Sequence, residues 1–300
     1  MKLKLGTRGS PLALAQTGII AGELLRRHPG LEIETVRIRT SGDILSSRTP
    51  PDAALAPGGK GLFVKEIEAA ILDGRVDLAV HSAKDLPADP PEGLAIAAYP
   101  LRADPRDVFI GREGLGWKSL RPGVRIGTSS PRRRMQCLAA APGVEFAEMH
   151  GNVDTRLKRL EEGRCDGLIL AEAGLRRLGL DRVKRDIISE DDMLTAPGQG
   201  ALAVEARPDC GGIWALLQAL DHGPTRAAVE TERAFLRAMG GGCSAPLGAW
   251  ARPLRGGIVL EVFYARPDGS RSVRLSESGP GPDGLDLAER AAQRVRHILG

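Results

Sequence analysis

Two stretches of the sequence place arginines at the start of a predicted helix. Arg8 lies just before a Ser-Pro pair at 10–11, and an arginine triplet at 132–134 directly follows a second Ser-Pro pair at 130–131. Serine is a good helix N-cap and proline a good first helical residue. Because a helix N-terminus carries positive potential, cations there oppose the dipole, and a bound anion would resolve the conflict. A solvated basic surface is the alternative.

Further arginines follow in the second half of the chain. Arg156 and Arg159 lie on a helix predicted to be capped by Asn152, and Arg176 and Arg177 lie in the segment AGLRRLG. Each of them alone is typical of a protein surface. Together with the triplet they predict a cleft lined by guanidinium groups that bind carboxylates.

The segment HSAKDLP, residues 81–87, ends a predicted strand. In α/β folds, functional sites usually lie at the carboxyl ends of strands. Lys84 and Asp85 are adjacent, so they cannot share one side of an extended segment, whereas a turn before Leu-Pro would offer Asp85 to a pocket. Asp85 could act there as a general acid–base or stabilise a cation. An ordinary turn residue is the alternative.

Cys243 directly follows three glycines in the stretch AMGGGCSAPLG. Such a run lets the backbone reach conformations that other residues avoid, which suggests a close approach to the thiol. A thiolate is a strong nucleophile, but the lack of a nearby histidine in sequence weighs against a Cys–His protease. The cysteines at 137, 165 and 210 are predicted to be small buried apolar residues. No C-x-x-C or H-x-x-H pattern indicates a metal site or a disulfide framework.

The elements that must position these residues alternate between strand and helix. The pattern predicts strands at 2–5, 31–40 and 75–82, with helices from Pro11 to about Arg27 and over 62–74. This alternation is typical of an α/β domain.

The chain then repeats this pattern. Residues 124–140 resemble 4–16, and residues 157–171 resemble 69–82, in the same order. Ser-Pro helix starts are common, but the ordered double match favours two similar α/β domains. Linker signals break the strand–helix pattern first at LPADPPEG and YPLRADPR and again at LTAPGQGA. After the second break, a helix over 226–240, a hairpin with an Asp-Gly turn and a helix over 285–299 predict a small α+β domain.

Composition limits the classes of function. The 300 residues carry a net charge of +4, with 42% hydrophobic and 3% aromatic residues. The low aromatic content and modest charge weigh against nucleic-acid binding. No apolar run is long enough to span a membrane, and the N-terminus lacks the pattern of a signal peptide, so a cytoplasmic protein is expected.

Seven motifs identify a family resemblance that covers nearly the whole chain. They are, in order, TRGSPLAL, GGKGLFVKEIE, HSAKDLP, GTSSPRRR, GNVDTRL, APGQGA and GGGCSAPLG. Together they closely resemble the hydroxymethylbilane synthase (porphobilinogen deaminase) family.

The resemblance implies a fold and a reaction. The fold has two periplasmic-binding-protein-like (type II) α/β domains and a small C-terminal α+β domain. The implied limits are 1–100 plus 200–220, 101–199 and 221–300. The reaction is the stepwise condensation of four porphobilinogen molecules onto a covalently bound dipyrromethane primer. Each condensation releases ammonia, and hydrolysis then frees the linear tetrapyrrole hydroxymethylbilane, an intermediate of porphyrin and heme biosynthesis.

The resemblance also assigns roles to individual residues. Asp85 matches the catalytic aspartate, expected to interact with pyrrole nitrogens and stabilise the cation left when ammonia departs; it could also shuttle protons. Cys243 matches the residue that holds the dipyrromethane through a thioether, an attachment point and not a turnover nucleophile. The other expected cofactor-binding residues are Ser82, Lys84, Ser129, Arg132 and Arg133. The expected substrate-binding residues are Arg8, Ser10, Gln16, Lys60, Phe63, His150, Arg156 and Arg177, with Lys60 and Phe63 in or beside a lid over 43–61.

One position departs from the family pattern. His150 stands where an arginine is usual, directly before GNV. A neutral imidazole binds carboxylates less well, although bound carboxylates would favour its protonated form. Activity is therefore expected to persist but to depend more strongly on pH. The competing interpretations are a two-lobed anion-binding protein without catalysis, an RNA-binding protein and an inactive homologue.

Overall fold

The computed structural model describes residues 1–41, 64–240, 245–280 and 284–300. Its strands are β1 Lys2–Thr7, β2 Glu32–Arg37, β3 Leu78–Ser82, β4 Ala95–Ala98, β5 Asp107–Gly111, β6 Arg125–Gly127, β7 Glu145–Ala147, β8 Gly167–Ala171, β9 Asp186–Ile187, β10 Leu202–Ala206, β11 Leu247–Leu254, β12 Gly257–Ala265 and β13 Ser272–Pro280. Its helices are α1 Pro11–Arg27, α2 Lys65–Leu72, α3 Pro131–Ala140, α4 Val153–Glu161, α5 Glu172–Arg177, α6 Gly212–Gln218, α7 Gly223–Ala238 and α8 Leu285–Leu299.

The first sheet has the strand order β2-β1-β3-β10-β4. β1 runs parallel to β2 and β3, whereas β10 runs antiparallel to β3 and β4. Ile20 and Leu24 of α1 and Leu217 of α6 bury one face of this sheet. Ile67 and Ile71 of α2 bury the other. This is the first lobe of the molecule.

The second sheet repeats that arrangement, with the order β7-β6-β8-β5-β9. β6 runs parallel to β7 and β8, and β5 runs antiparallel to β8 and β9. In each lobe the strand at the corresponding position, β1 or β6, leads into a helix capped by serine: Ser10 accepts from the Ala13 N–H at 3.3 Å and Ser130 from the Arg133 N–H at 3.4 Å. The internal repeat predicted from the sequence is therefore confirmed.

The chain passes between the two sheets twice. The segment 99–106 joins β4 of the first sheet to β5 of the second, and the segment 188–201 returns from β9 to β10. Gly200, with φ +85°, packs against the first of these segments, where an added Cβ would lie 2.6 Å from the carbonyl oxygen of Ala103. The two crossing segments therefore contact each other at a position that requires glycine.

The C-terminal region is a three-stranded antiparallel sheet, β11-β12-β13, covered by α7 and α8. Its last two strands are joined by the predicted Asp-Gly turn, with Gly269 at φ +73°. α7 begins at Gly223, three residues before the predicted start, because the His222 ring accepts from the Thr225 N–H and so caps the helix earlier. The predicted fold class, two α/β lobes and a small α+β domain, is confirmed.

Two adjacent charged residues of α7 tie this region to the lobes. The fully buried Glu232 carboxylate accepts from the Arg102 guanidinium at 2.7 and 3.0 Å and from the Gly198 N–H at 2.6 Å. Arg233 donates to the carbonyl oxygens of Pro87 at 2.7 Å and Ala88 at 3.0 Å. α7 thus fixes both crossing segments and the loop that follows β3. Among the described helices, none is long and apolar enough to cross a membrane.

Candidate active site in the cleft between the lobes

A cleft of about 350 Å³ lies between the two lobes. Its walls include the start of α1 and the end of β3 from the first lobe, and the starts of α3 and α4 and the end of α5 from the second. Ten of the predicted site residues line it: Arg8, Ser10, Gln16, Ser82, Lys84, Asp85, Arg132, Arg133, Arg156 and Arg177.

Lys84 and Asp85 both face this cleft. The predicted turn at Asp85 is confirmed: Ala83–Asp85 forms a single 3₁₀ turn and not an extended segment, so the two adjacent side chains can both line the cleft. The Lys84 ammonium donates to Oε1 of Gln199 at 3.1 Å. Gly198, with φ +72°, packs on the turn, and an added Cβ would lie 3.1 Å from the carbonyl carbon of Ala83. The second crossing segment therefore supports the turn that carries Asp85.

Arg132 and Arg133 converge on one buried carboxylate. Nη1 of Arg132 donates to Asp107 at 2.7 Å, and Nε and Nη2 of Arg133 donate to Asp107 at 3.1 and 2.7 Å. Burial alone would raise the pKa of Asp107, but the two guanidinium groups outweigh it and hold this pKa well below its usual range. The sequence argument assigned the charge of the triplet to a bound anion. For Arg132 and Arg133, the carboxylate of Asp107 already compensates much of this positive charge.

Arg156 and Arg177 lie in the same cleft without such a partner. Each donates to a backbone carbonyl, Arg156 to Gly151 at 2.9 Å and Arg177 to Gly200 at 2.6 Å. Within the described ranges neither forms a salt bridge. Burial, and then the charge of Arg133, lower the pKa of Arg156 to about 10, while Asp85 opposes this shift. Burial lowers the pKa of Arg177 to about 10. Both groups remain cationic at neutral pH and would gain from an anionic ligand.

Hydroxyl and amide groups complete one wall of the cleft. Nε2 of Gln16 donates to Oγ of Ser82 at 2.7 Å. Because this oxygen accepts from Gln16, the Ser82 hydroxyl hydrogen is left to donate elsewhere. Gln16 is itself buried, so it fixes the end of β3.

Two predicted site residues, Ser129 and His150, are not among the residues that line the cleft. Oγ of Ser129 donates to the Met149 carbonyl at 3.0 Å and accepts from the Met149 N–H at 2.8 Å. Nε2 of His150 lies 3.5 Å from Oε2 of Glu148. Asn152, the predicted cap, precedes α4, but its side chain makes no capping hydrogen bond.

The electrostatic surroundings of His150 oppose its protonation in the unliganded protein. Burial lowers the pKa of His150, the Glu148 carboxylate raises it, and the charges of three nearby arginines, 156, 159 and 134, lower it again. The protonation suggested for His150 would therefore depend on bound carboxylates.

The proposed cofactor anchor Cys243 and the lid residues Lys60 and Phe63 lie outside the described residues. Cys137 and Cys165 are fully buried, as predicted, and burial raises the pKa of their thiols to about 12 and about 11. Cys210 is partly exposed and packs at the edge of the first core. Across the described ranges, no group of His, Cys, Asp or Glu could hold a metal ion.

The sequence reasoning missed Asp107, which organises the arginine pair. Its signal is an acidic residue at the first position of the apolar strand DVFIG, where burial requires a cationic partner. It also gave no role to the Gln199 side chain, whose Nε2 donates to Asp107 at 3.0 Å while its Oε1 accepts from Lys84. Gln199 therefore links the arginine pair to the turn that carries Asp85.

The fold and the cleft together define a class: a two-lobed α/β protein that binds anionic ligands beside a carboxylate. Comparisons with known proteins are more specific. The family model described as "Porphobilinogen deaminase, dipyromethane cofactor binding domain" matches residues 3–213, and "Porphobilinogen deaminase, C-terminal domain" matches 226–296. The chain belongs to the porphobilinogen deaminase family.

Relatives match over almost the full length. The porphobilinogen deaminase of Roseiflexus castenholzii is 45% identical over 98% of this chain and 95% of its own, and that of Desulforudis audaxviator is 48% identical over 97% and 93%. A TRAP periplasmic solute binding protein from Desulfovibrio salexigens is a slight structural match, with TM-score 0.44 and 12% identity over 74% of this chain and 72% of its own. The predicted family, its transferase class and its dipyrromethane cofactor are confirmed, whereas attachment at Cys243 stays a prediction.

Proposed function

We propose that this chain condenses four porphobilinogen molecules, with release of ammonia, and frees hydroxymethylbilane by hydrolysis. One observation carries the proposal: Asp85 lies in the same cleft as Arg156 and Arg177, two cations that form no salt bridge within the described residues. The substrate carries carboxylates, a pyrrole N–H and an amine, so it needs both kinds of partner.

The donor set of the cleft fits a dipyrromethane. A cavity of about 350 Å³ falls in the range of small-molecule sites, roughly 300–1,000 Å³. The acidic side chains of two pyrrole rings would be held by Ser82, Lys84, Ser129, Arg132 and Arg133, with Cys243 as the thioether anchor. When bound, the dipyrromethane supplies the pyrrole carbon to which the first substrate unit is joined.

The hydrogen bonds of Arg132 and Arg133 to Asp107 determine which of their N–H groups remain for a ligand. Arg132 uses Nη1 for Asp107 and for the carbonyl of Leu194, so its Nε and Nη2 hydrogens remain for a ligand carboxylate. Arg133 spends Nε, Nη1 and Nη2 on Asp107 and the carbonyl of Ile169, and acts mainly as a fixed charge.

Asp85 carries the catalytic role in this proposal. Its carboxylate accepts hydrogen bonds from pyrrole N–H groups of the substrate and offsets the positive charge that develops as ammonia leaves. The 3₁₀ turn, held by Arg233 and supported by Gly198, keeps this carboxylate in place, so little reorganisation is needed during the reaction.

The substrate carboxylates are assigned to the second set of residues. Arg156 and Arg177 bind them by charge-assisted hydrogen bonds. The rest of the proposed set is Arg8, Ser10, Gln16, Lys60, Phe63 and His150. Ser10 also caps α1, so a substrate carboxylate bound at Ser10 would also lie near the exposed N–H groups at the start of this helix.

We also propose the domain limits 1–100 plus 200–220, 101–199 and 221–300, and a monomer that acts in the cytoplasm without nucleic acid or membrane. The sheet memberships of β1–β4 with β10, and of β5–β9, support this division.

Intact mass spectrometry tests the proposal. The purified protein is compared with Cys243→Ser and with the matched control Cys210→Ser. We expect a mass excess of two pyrrole units in wild type and control but not in Cys243→Ser, together with consumption of porphobilinogen. A wild type that lacks this mass and does not gain it on incubation with porphobilinogen would instead be an anion-binding protein without catalysis.

A further inference from the structure

A buried group of titratable side chains lies beneath the cleft, on the α2 side of the first sheet. The antiparallel register pairs Ala203 with His81 and Glu205 with Ala79, so His81 and Glu205 project from the same face of neighbouring strands. Glu68 of α2 is buried against this face. The functional assignments above use none of these three side chains.

His81 and Glu205 form a close pair. Nε2 of His81 lies 3.1 Å from Oε2 of Glu205, and their side chains are 6% and 0% exposed. A carboxylate can only accept, so Nε2 carries the hydrogen, and in the neutral ring the lone pair is on Nδ1. His81 also lines the cleft, three residues before Lys84, and Nδ1 makes no hydrogen bond to any residue that the structure describes. The Glu205 carboxylate thus orients the His81 ring, and Nδ1 of that ring is available to a group bound in the cleft.

A second buried carboxyl group, that of Glu68, lies close to the pair. Burial, and then the negative charge of Glu205, raise the pKa of Glu68, whereas His81 and Lys65 lower it. The surroundings of Glu68 therefore favour the neutral form of this carboxyl. Oε1 of Glu205 and Oε1 of Glu68 are buried without a hydrogen-bond partner in the described chain. The charged groups of the adjoining turn are Lys84 and Asp85.

We propose that His81 is a proton-accepting catalytic residue, oriented by Glu205, for the reaction assigned to this cleft. The inference rests on the proposed function. In each condensation a carbon–carbon bond forms, the carbon–nitrogen bond to the amine breaks, and the accepting pyrrole carbon loses its hydrogen as a proton. Nδ1 of His81 takes that proton while the electron pair of the broken C–H bond returns to the ring. Because the amine has already left as ammonia when this proton is lost, the imidazolium then gives the proton to the released ammonia, which departs as ammonium, so no further reactant is needed.

Nitrogen NMR of the unliganded protein tests the geometry independently of turnover. In ¹⁵N-histidine-labelled protein, assigned with His81→Gln, we expect His81 to be the neutral Nε2–H tautomer at pH 7.5. Glu205→Gln should redistribute the tautomers. A ring protonated on Nδ1 in the wild type, as the other tautomer or as an imidazolium from pH 6 to 9, would overturn the proposal.

Kinetics test the role. The amide introduced by His81→Gln can still donate to Glu205 but cannot carry a proton, so this variant should lower kcat by about 100-fold or more with little change in KM. With porphobilinogen deuterated at its free pyrrole carbon, His81→Gln should then show a larger primary isotope effect on turnover than the wild type. The matched control is His297→Gln, an exposed histidine on α8. If wild type turns over porphobilinogen but His81→Gln keeps its rate and isotope effect, the inference fails and the proposed function stands. A wild type without turnover would refute the proposed function instead.

Discussion

Glu232 and Arg102 form a bidentate ion pair, with N–O distances of 2.7 and 3.0 Å, that joins the C-terminal sheet region to the first crossing segment. Glu232 is fully buried and the Arg102 side chain is 10% exposed. Glu232 also accepts from the N–H groups of Gly198 and Ala251, so one carboxylate gathers four N–H donors from three parts of the chain.

Glu232→Gln is expected to destabilise the protein by about 3–5 kcal/mol, since it leaves the Arg102 charge buried without a counter-ion. Urea unfolding measures the loss. Glu230→Gln, two positions earlier on the same helix, removes a carboxylate that is 50% exposed and should change the free energy of unfolding by less than about 1 kcal/mol. Equal losses in both variants would contradict this prediction.

Asp107→Asn should cost about 3–5 kcal/mol at pH 7, because Arg132 and Arg133 lose their shared counter-ion. The folded-state pKa of Asp107 is lowered, so its stabilisation is complete above the unfolded pKa of about 3.9 and is lost as pH falls below it. The difference in unfolding free energy between wild type and variant should therefore shrink from pH 5 towards pH 2. Asp191→Asn, an exposed control, should show no such trend.

Arg177→Gln should weaken substrate binding without comparable loss of stability. A charge-assisted hydrogen bond contributes about 1.5–3 kcal/mol, so KM should rise about 10- to 100-fold. Because the half-buried guanidinium has no counter-ion in the described chain, its removal should change the free energy of unfolding by less than about 1 kcal/mol. The adjacent Arg176→Gln, at a side chain 56% exposed and paired with Glu172, is the control for KM. A similar KM change in both variants would argue against a binding role for Arg177.

His150 should be neutral at pH 7 in the unliganded protein, since burial and three arginines lower its pKa below the usual value of about 6.5. Folding stability linked to His150 is then present above that value and decreases as pH falls through the folded-state pKa. Bound carboxylates would favour the cation, so the ratio of kcat/KM in wild type to that in His150→Arg should fall as pH rises from 6 to 8. A ratio independent of pH would remove His150 from the substrate-binding set.

The sequence predicts local features of this fold well, because residues close in sequence determine them. Ser10 and Ser130 mark both helix starts through caps that reach three residues ahead. The Asp-Gly turn is likewise determined by neighbouring residues. The internal repeat is recognised because two such short patterns occur twice in the same order. The turn at Asp85 was also predicted, but its support by α7 and Gly198 was not, because those contacts come from distant parts of the chain.

The site was only partly predictable. The family resemblance identified the residues that line the cleft, but not the hydrogen-bond partners that fix their side chains. Arg132 meets Asp107 from a position 25 residues away, and His81 meets Glu205 from a position 124 residues away. No spacing rule relates such pairs, because the strand order that brings them together is a property of the completed sheet.

The position of β10 has a consequence for biosynthesis. β10 lies between β3 and β4, yet it follows all five strands of the second sheet in the chain. On the ribosome, the segment from Asp107 to Ile187 can close its own sheet first, while β3 and β4 keep unpaired edges until Ala206 has emerged. Of the two lobes, the one that is translated first can therefore be completed only second, and a nascent chain stalled before residue 202 is expected to present a finished second lobe beside an open first one.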